Sequence, residues 1–206
     1  MTDLVLNAFV TLLVIIDPLG LTPMFLVMTE GGDSSFRRRM AIRGVAISAG
    51  LLIFFALVGH EFIGWLGIDL SSFKIAGGFM LLLVALEMVF EKRASRRSQR
   101  AEEAVKDHLE DISVFPLAIP LIAGPGAITS VMLLMSAQDG KLFEQGVIMA
   151  VLVTVILICL IMFLLAERLS KYFTETFINV LTRLLGVLLA ALATQYMVDG
   201  IKEALF

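Results

Sequence analysis

Six long apolar runs, separated by short polar stretches, make up most of the chain. They extend over roughly Leu4 to Met28, Ala41 to Leu66, Ser71 to Phe90, Ile112 to Met135, Gln145 to Ala166 and Ile178 to Ile201. Each run is long enough to cross a hydrocarbon core of about 30 Å, which takes about 20 helical residues. The pattern therefore predicts an all-α polytopic membrane protein with six transmembrane helices.

The first and fourth runs each contain proline close to glycine. Pro18 is followed by Gly20, and Pro125 lies between Gly124 and Gly126. Proline removes a backbone donor and clashes with the preceding turn, and lipid cannot satisfy the polar groups that are freed. We therefore expect helices 1 and 4 to be broken at these motifs, with the freed groups facing protein or a polar cavity.

The two halves of the chain resemble each other when the sequence is shifted by 107 residues, with one residue of slippage in the third run. The matched pairs are Pro18 with Pro125, Thr22 with Thr129, Gly78 with Gly186, and Ala85 with Ala193. Two copies of a unit with three spans insert with opposite topology. The sequence predicts two inverted three-helix repeats, over 1–90 and 112–206, joined by a charged cytoplasmic loop over 91–111.

Basic residues are concentrated on one side of the predicted membrane. Thirteen of the 16 lysines and arginines lie in or beside the loops after the first, third and fifth runs. The positive-inside rule makes these loops cytoplasmic and puts both termini outside. The loop over 91–111 is basic in its first half and acidic in its second, a composition typical of a solvated surface helix.

Composition limits the classes of function. Hydrophobic residues make up 59% of the 206 residues, charged residues 17%, and the mean hydropathy is +0.95. Little chain remains outside the runs. We therefore expect the lipid bilayer to be the principal partner, and we expect no binding of nucleic acid. The sequence lacks nucleophile-elbow, zinc-protease and phosphate-loop motifs, so we expect neither an enzyme nor a bound cofactor or metal.

Asp17 is the clearest candidate for function, because an ionisable group inside a span costs about 2.5–3.5 kcal/mol on insertion scales. It could be only the N-cap of a half-helix that begins at Pro18. Alternatively, it could bind a coupling proton or the ammonium group of a substrate. Thr22 and Thr129 lie one turn after the two breaks, and two roles are open for them as well. Each hydroxyl could bond to a carbonyl of its own helix, or it could contact a ligand.

The directions of the broken helices suggest where a substrate would bind. The half-helices beginning at Pro18 and Pro125 start near the midplane and leave it on opposite sides, so their N-termini should converge. Together they would suit one carboxylate. The candidate substrate-binding residues are Asp17, Pro18, Gly20, Thr22, Gly124, Pro125, Gly126 and Thr129, and Asp17 is also the candidate for the coupling ion.

Several segments, taken in order, resemble the MarC family of bacterial inner-membrane proteins. They are Asp17–Gly20 with Thr22–Phe25, then Ile75–Gly78, Ile122–Ala127 and Thr182–Gly186. The resemblance covers the whole chain and implies similarity to neutral amino-acid transporters of the SnatA type. It also implies a bacterial inner membrane, so both termini would be periplasmic.

Three hypotheses for function follow. The first is a secondary transporter of small neutral amino acids, working by alternating access with coupling to protons or sodium. The second is a channel, facilitator or small-molecule efflux protein that uses the same broken helices. The third is a membrane subunit that transports nothing. The sequence leaves a homo-oligomer open in each case.

Overall fold

The computed structural model describes residues 1–93, 95–99, 111–169 and 174–205, and this part of the chain contains helices and no strand. The regular helices are α1 Thr2–Ile16, α2 Pro18–Met28, α3 Ser34–Trp65, α4 Leu70–Val89, α5 Pro125–Ser136, α6 Leu142–Leu164, α7 Ala166–Leu169 and α8 Glu175–Leu205. Of the charged loop predicted over 91–111, residues 91–93, 95–99 and 111 are described. Residues 92–93 and 95–99 are helical.

The helices account for five or six candidate membrane spans by length and composition. Five are α1 with α2, α3, α4, α6 and most of α8. The sixth arises if Ser113–Ile122 and α5 are counted together as one span, bent by 55°. The described part of the chain is therefore all-helical, with the long apolar helices of a multi-pass integral membrane protein.

Ser113–Ile122, here called the kinked segment, is not a regular α-helix. Its turns are wider than α-helical ones, and Phe115 and Ile119 have extended backbone angles, with φ of −131° and −124°. Each precedes a proline, Pro116 or Pro120, through a cis peptide bond. Extended geometry is expected there because proline crowds the backbone of the residue before it. The first half of the fourth run thus differs from the helix that its hydrophobicity predicts.

The helices of the two halves pack mainly on each other. α4 packs along α8, α1 and α2 pack on α6, and α3 packs on α6, the kinked segment and α5. The buried core accordingly lies between the halves, with large side chains such as Leu81 and Leu189 fully enclosed.

Glycines allow α4 and α8 to approach closely. A Cβ added at Gly78 would lie 2.7 Å from the carbonyl oxygen of Ala193, and one at Gly186 would lie 3.1 Å from that of Ala85. These glycines therefore have the packing role expected of small residues between membrane helices. Ion pairs join the two helices' ends, from Lys74 to Glu203 and from Arg183 to Glu91, which follows α4.

Candidate functional site

Asp17 occupies the single residue between α1 and α2. Its backbone is left-handed, with φ of 57° and ψ of 62°, and its N–H closes α1 by donating to the Leu13 carbonyl at 2.9 Å. Aspartate and asparagine tolerate this conformation better than most other side chains. The Asp17 carboxylate accepts a hydrogen bond from the Gly20 N–H at 3.0 Å. The N-cap of the helix that begins at Pro18, which was one of the alternatives for Asp17, is thus present.

Gly20 and Thr22 complete the start of α2. A Cβ at Gly20 would collide with the Asp17 carboxylate, so a larger residue there would push the carboxylate out of its present position. The Thr22 hydroxyl donates to the Pro18 carbonyl at 2.8 Å, the bond to its own helix that was one of the two alternatives. In the second half, the methyl group of Thr129 packs against Gly77, where an added Cβ would lie 2.6 Å away.

Arg97 reaches Asp17 from the charged loop. Its Nη1 donates to Asp17 Oδ2 at 2.8 Å, and the two side chains are only 7% and 4% exposed. Its Nη2 also donates to the Ile16 carbonyl at 3.3 Å. The basic half of the loop was expected to be solvated, and for Arg97 this expectation is wrong. A buried carboxylate is costly unless it is paired, and Arg97 supplies the pair.

Arg93 lies one helical turn before Arg97. It donates through Nη2 to the Ile15 carbonyl and through Nη1 to the Met88 sulfur at 3.0 Å. The two arginines therefore bind the last carbonyls of α1, where the helix dipole favours positive charge. Burial and then the like charge of Arg97 lower the pKa of the half-buried Arg93 guanidinium, and Asp17 and Glu87 partly offset this.

Two cavities meet at these arginines. The first has a volume of 540 Å³, and its lining includes Asp17, Gly20, Thr22, Asn179 and Thr182. The second has a volume of 120 Å³, and its lining includes Gly124, Pro125, Gly126 and Glu87. Arg93 and Arg97 line both.

Six of the eight candidate site residues therefore line one of two cavities that share two arginines. Pro18 and Thr129 do not line either cavity. The break between α1 and α2 is also close to the start of α5. A Cβ added at Gly126 would lie 3.0 Å from the side chain of Ile15.

Sequence reasoning missed Arg93 and Arg97 as parts of this site. Their spacing of four residues puts them on one face of a helix, and Asp17 is an intramembrane acid that needs a counter-ion. Those two signals together could have suggested a pair. Neither signal identifies which of the loop arginines would reach the interruption.

The helices, the buried ion pair and the cavities define an integral membrane protein with a polar site at the interruption of its first span. The family model for MarC family integral membrane proteins matches residues 2–205, so the chain belongs to the MarC family.

Relatives match over nearly their full length. The UPF0056 membrane protein MJ1677 of Methanocaldococcus jannaschii is 35% identical, with 96% of each chain covered. YhcE of Escherichia coli is 31% identical over 94% of this chain and 90% of its own, and YvbG of Bacillus subtilis is 30% identical over 98% and 96%. No solved structure matches the chain.

Proposed function

We propose that the protein is a secondary transporter of small neutral amino acids. In this proposal it works by alternating access, and its substrate site lies between the interruptions at Pro18 and Pro125. The observation that carries the proposal is Asp17, a buried, ion-paired carboxylate beside a cavity of 540 Å³. Ionisable groups at such positions are costly and typically mark substrate or ion pathways.

Inverted repeats are part of the proposal, and reciprocal contacts between α4 and α8 support them. Gly78 and Gly186 are matched positions of the two halves, as are Ala85 and Ala193. Gly78 lies on the Ala193 carbonyl, and Gly186 lies on the Ala85 carbonyl. A two-fold axis produces this pattern, in which residue i meets j and j meets i.

The packing between helices supports the same symmetry. α1 and α2 pack on α6, and their counterparts, the kinked segment and α5, pack on α3. α4 packs on α8, its own counterpart. Two halves related in this way could rock against each other around a fixed site, as alternating access requires.

A small zwitterion suits the chemistry of the proposed site. Its carboxylate would bind near the starts of α2 and α5, where the helix dipoles favour negative charge. At the start of α2 the Gly20 N–H already donates to Asp17. Its ammonium group would bind near Asp17 and the last carbonyls of α1, which Arg93 and Arg97 occupy in this conformation. Asp17 pairs with Arg97 in this conformation, so binding an ammonium group or a coupling proton there involves an exchange of partners.

Counterflow in proteoliposomes tests the proposal. Vesicles are loaded with unlabelled L-alanine, glycine or L-serine, and uptake of the same labelled amino acid is followed with and without a proton gradient. A carrier accelerates uptake when substrate is present on the far side, because loaded return is faster than empty return. Protein-free vesicles are the control. Uptake that does not respond to internal substrate would favour a channel or facilitator, and no uptake across the panel would contradict amino-acid transport.

We also place the protein in a bacterial inner membrane with both termini periplasmic. The MarC family match and the relative from Escherichia coli are compatible with that membrane. The asymmetry of basic loops supports the orientation.

A further inference from the structure

We infer that Arg93 and Arg97 form the carboxylate subsite of the transport site, in which Asp17 and the carboxylate of the transported molecule compete for the arginines. The inference deepens the proposed function and rests on it for the location of the substrate. It assigns a binding role to two residues of the charged loop.

The first step is the state of the Arg93 guanidinium. Arginine carries five N–H donors and no acceptor. Among the described residues, Arg93 donates to one carbonyl and to a thioether sulfur, which is a weak acceptor, and it pairs with no carboxylate. A half-buried cation in this setting has donors and charge available for an anion.

The second step is the charge around the 120 Å³ cavity. Its charged lining residues are Glu87, Arg93, Arg96 and Arg97. Glu87 pairs with Arg96 at 2.8 Å, and Arg97 pairs with Asp17 at 2.8 Å. Among the charged residues described in this lining, Arg93 is therefore the one that takes part in neither ion pair. A half-buried charge without an ion-pair partner is costly, so an anion bound here is stabilised.

The third step is size and access. A cavity of 120 Å³ is somewhat smaller than an engineered cavity of about 150 Å³ that holds one benzene molecule, so it suits a carboxylate and few further atoms. The 540 Å³ cavity on the other side of the arginines has room for the remainder of a small molecule. Because both arginines line both cavities, an anion held by them remains within reach of Asp17.

The fourth step is the exchange itself. Arg97 already binds one carboxylate, that of Asp17, with hydrogen-bonding geometry that a substrate carboxylate can reproduce. When a substrate carboxylate takes this place, the Asp17 carboxylate is released toward the substrate's ammonium group. No covalent bond changes in this step. The arginine pair thus selects for a carboxylate, and Asp17 selects for a neighbouring positive charge.

A labelling experiment on the full-length protein tests the inference without depending on transport. Ser98 lines the 540 Å³ cavity together with both arginines, and Cys159 is the natural cysteine. In a Cys159→Ala background, Ser98→Cys is labelled with a maleimide in proteoliposomes. We expect L-alanine and acetate to slow labelling, while L-alaninamide and acetamide have at least about 10-fold weaker effects, the scale of a lost charged hydrogen bond.

Variants of the loop assign the effect to Arg93. Arg93→Gln should weaken protection by L-alanine and acetate about 10-fold or more and abolish discrimination against the amides. Arg93→Lys should give an intermediate loss, since it keeps the charge but not the planar fork of donors. Lys92→Gln is the matched control, because Lys92 is exposed on the same segment and lines neither cavity. Size-exclusion chromatography checks that each variant is folded. If Arg93→Gln is not folded, the comparison of Arg93→Lys with Lys92→Gln decides whether Arg93 binds the carboxylate.

The outcomes separate this inference from the proposed function. Protection by acetate but not by L-alanine would support the carboxylate subsite and contradict neutral amino acids as substrates. Equal protection by L-alanine and L-alaninamide, unchanged in Arg93→Gln, would overturn the subsite and leave the transporter proposal standing. Absence of protection by every carboxylate tested would also overturn the subsite.

Discussion

Asp17 serves three structural roles at once. It takes a left-handed backbone, accepts a hydrogen bond from Gly20 and pairs with Arg97. Asparagine could satisfy the first two, because it tolerates the left-handed region and has an acceptor oxygen. Only the ion pair with Arg97 uses the charge of the carboxylate. The distinction between a cap and a functional group therefore rests on that charge.

Asp17→Asn should keep the local backbone of the α1–α2 break, at some cost in stability from the lost ion pair, while changing the energetics of transport. The amide oxygen can still accept the hydrogen bond from the Gly20 N–H. The amide has no negative charge to pair with Arg97, and it does not take up a proton at physiological pH. We expect dependence of uptake on the proton gradient to be lost, with counterflow exchange partly retained. Asp33→Asn is the matched control, since Asp33 is an exposed N-cap that accepts from the Phe36 N–H. Unchanged gradient-driven uptake in Asp17→Asn would show that Asp17 is only a cap.

Gly126→Val should reduce substrate binding without preventing folding. A Cβ at Gly126 meets the flexible end of Ile15 at 3.0 Å, which can move, whereas one at Gly124 meets the backbone carbonyl of Pro120 at 2.6 Å. Gly126 is therefore the sharper test of the wall of the 120 Å³ cavity. We expect binding of labelled L-alanine to weaken about 10-fold or more, an estimate of about 1.4 kcal/mol or more.

Gly146→Val is the control for Gly126→Val, because nothing lies within 4 Å of a Cβ at that exposed helical position. It should bind as the unmodified protein does. Wild-type affinity in Gly126→Val would indicate that the substrate does not approach the start of α5.

At the scale of elements, the apolar runs predicted the positions of the spans well, because a bilayer imposes a minimum length on any apolar helix. They did not predict the kinked segment. Pro116 and Pro120 were visible in the sequence, but hydrophobicity alone does not distinguish a helix from an irregular apolar segment. The ion pair of Asp17 with Arg97 is harder still, since 80 residues separate the partners and periodicity carries no information about such contacts.

The close approach of α4 and α8 makes a prediction about stability. Gly78→Leu and Gly186→Leu should each destabilise the protein, by about 1–3 kcal/mol as is typical of overpacking. The reason is that each side chain would enter the backbone of the facing helix, at Ala193 or at Ala85. Thermal unfolding in detergent measures the loss.

Gly50→Leu provides the comparison, because an added Cβ there meets nothing within 4 Å. It should unfold close to the temperature of the unmodified protein. If the two substitutions at the helix interface are equally harmless, α4 and α8 do not pack through these glycines, and the reciprocal contact loses its value as evidence for inverted repeats.

At the scale of the whole molecule, the segments with basic residues come together at one end. From α3, Arg37 pairs with Glu167 and Arg43 lies 3.4 Å from Asp111. These contacts link the start of α3 to α7 and to the residues before the kinked segment. Hydrogen bonds from Ser113 lower the pKa of the exposed Asp111, which keeps this carboxylate charged for Arg43. One basic end is what the positive-inside rule requires of a protein with a fixed orientation.

Phosphatase fusions test the proposed orientation, in which both termini are periplasmic. Alkaline phosphatase is active only on the periplasmic side. A fusion after Phe206 should be active, and one after Gln99, within the basic half of the charged loop, should be inactive. Single cysteines in a Cys159→Ala background give an independent measure at two exposed positions, Lys141→Cys and Arg39→Cys. In intact cells an impermeant maleimide should label Lys141→Cys and not Arg39→Cys. The reverse pattern in both assays would put the arginine subsite on the outer side of the membrane, and the substrate would then first meet Arg93 and Arg97 from outside the cell.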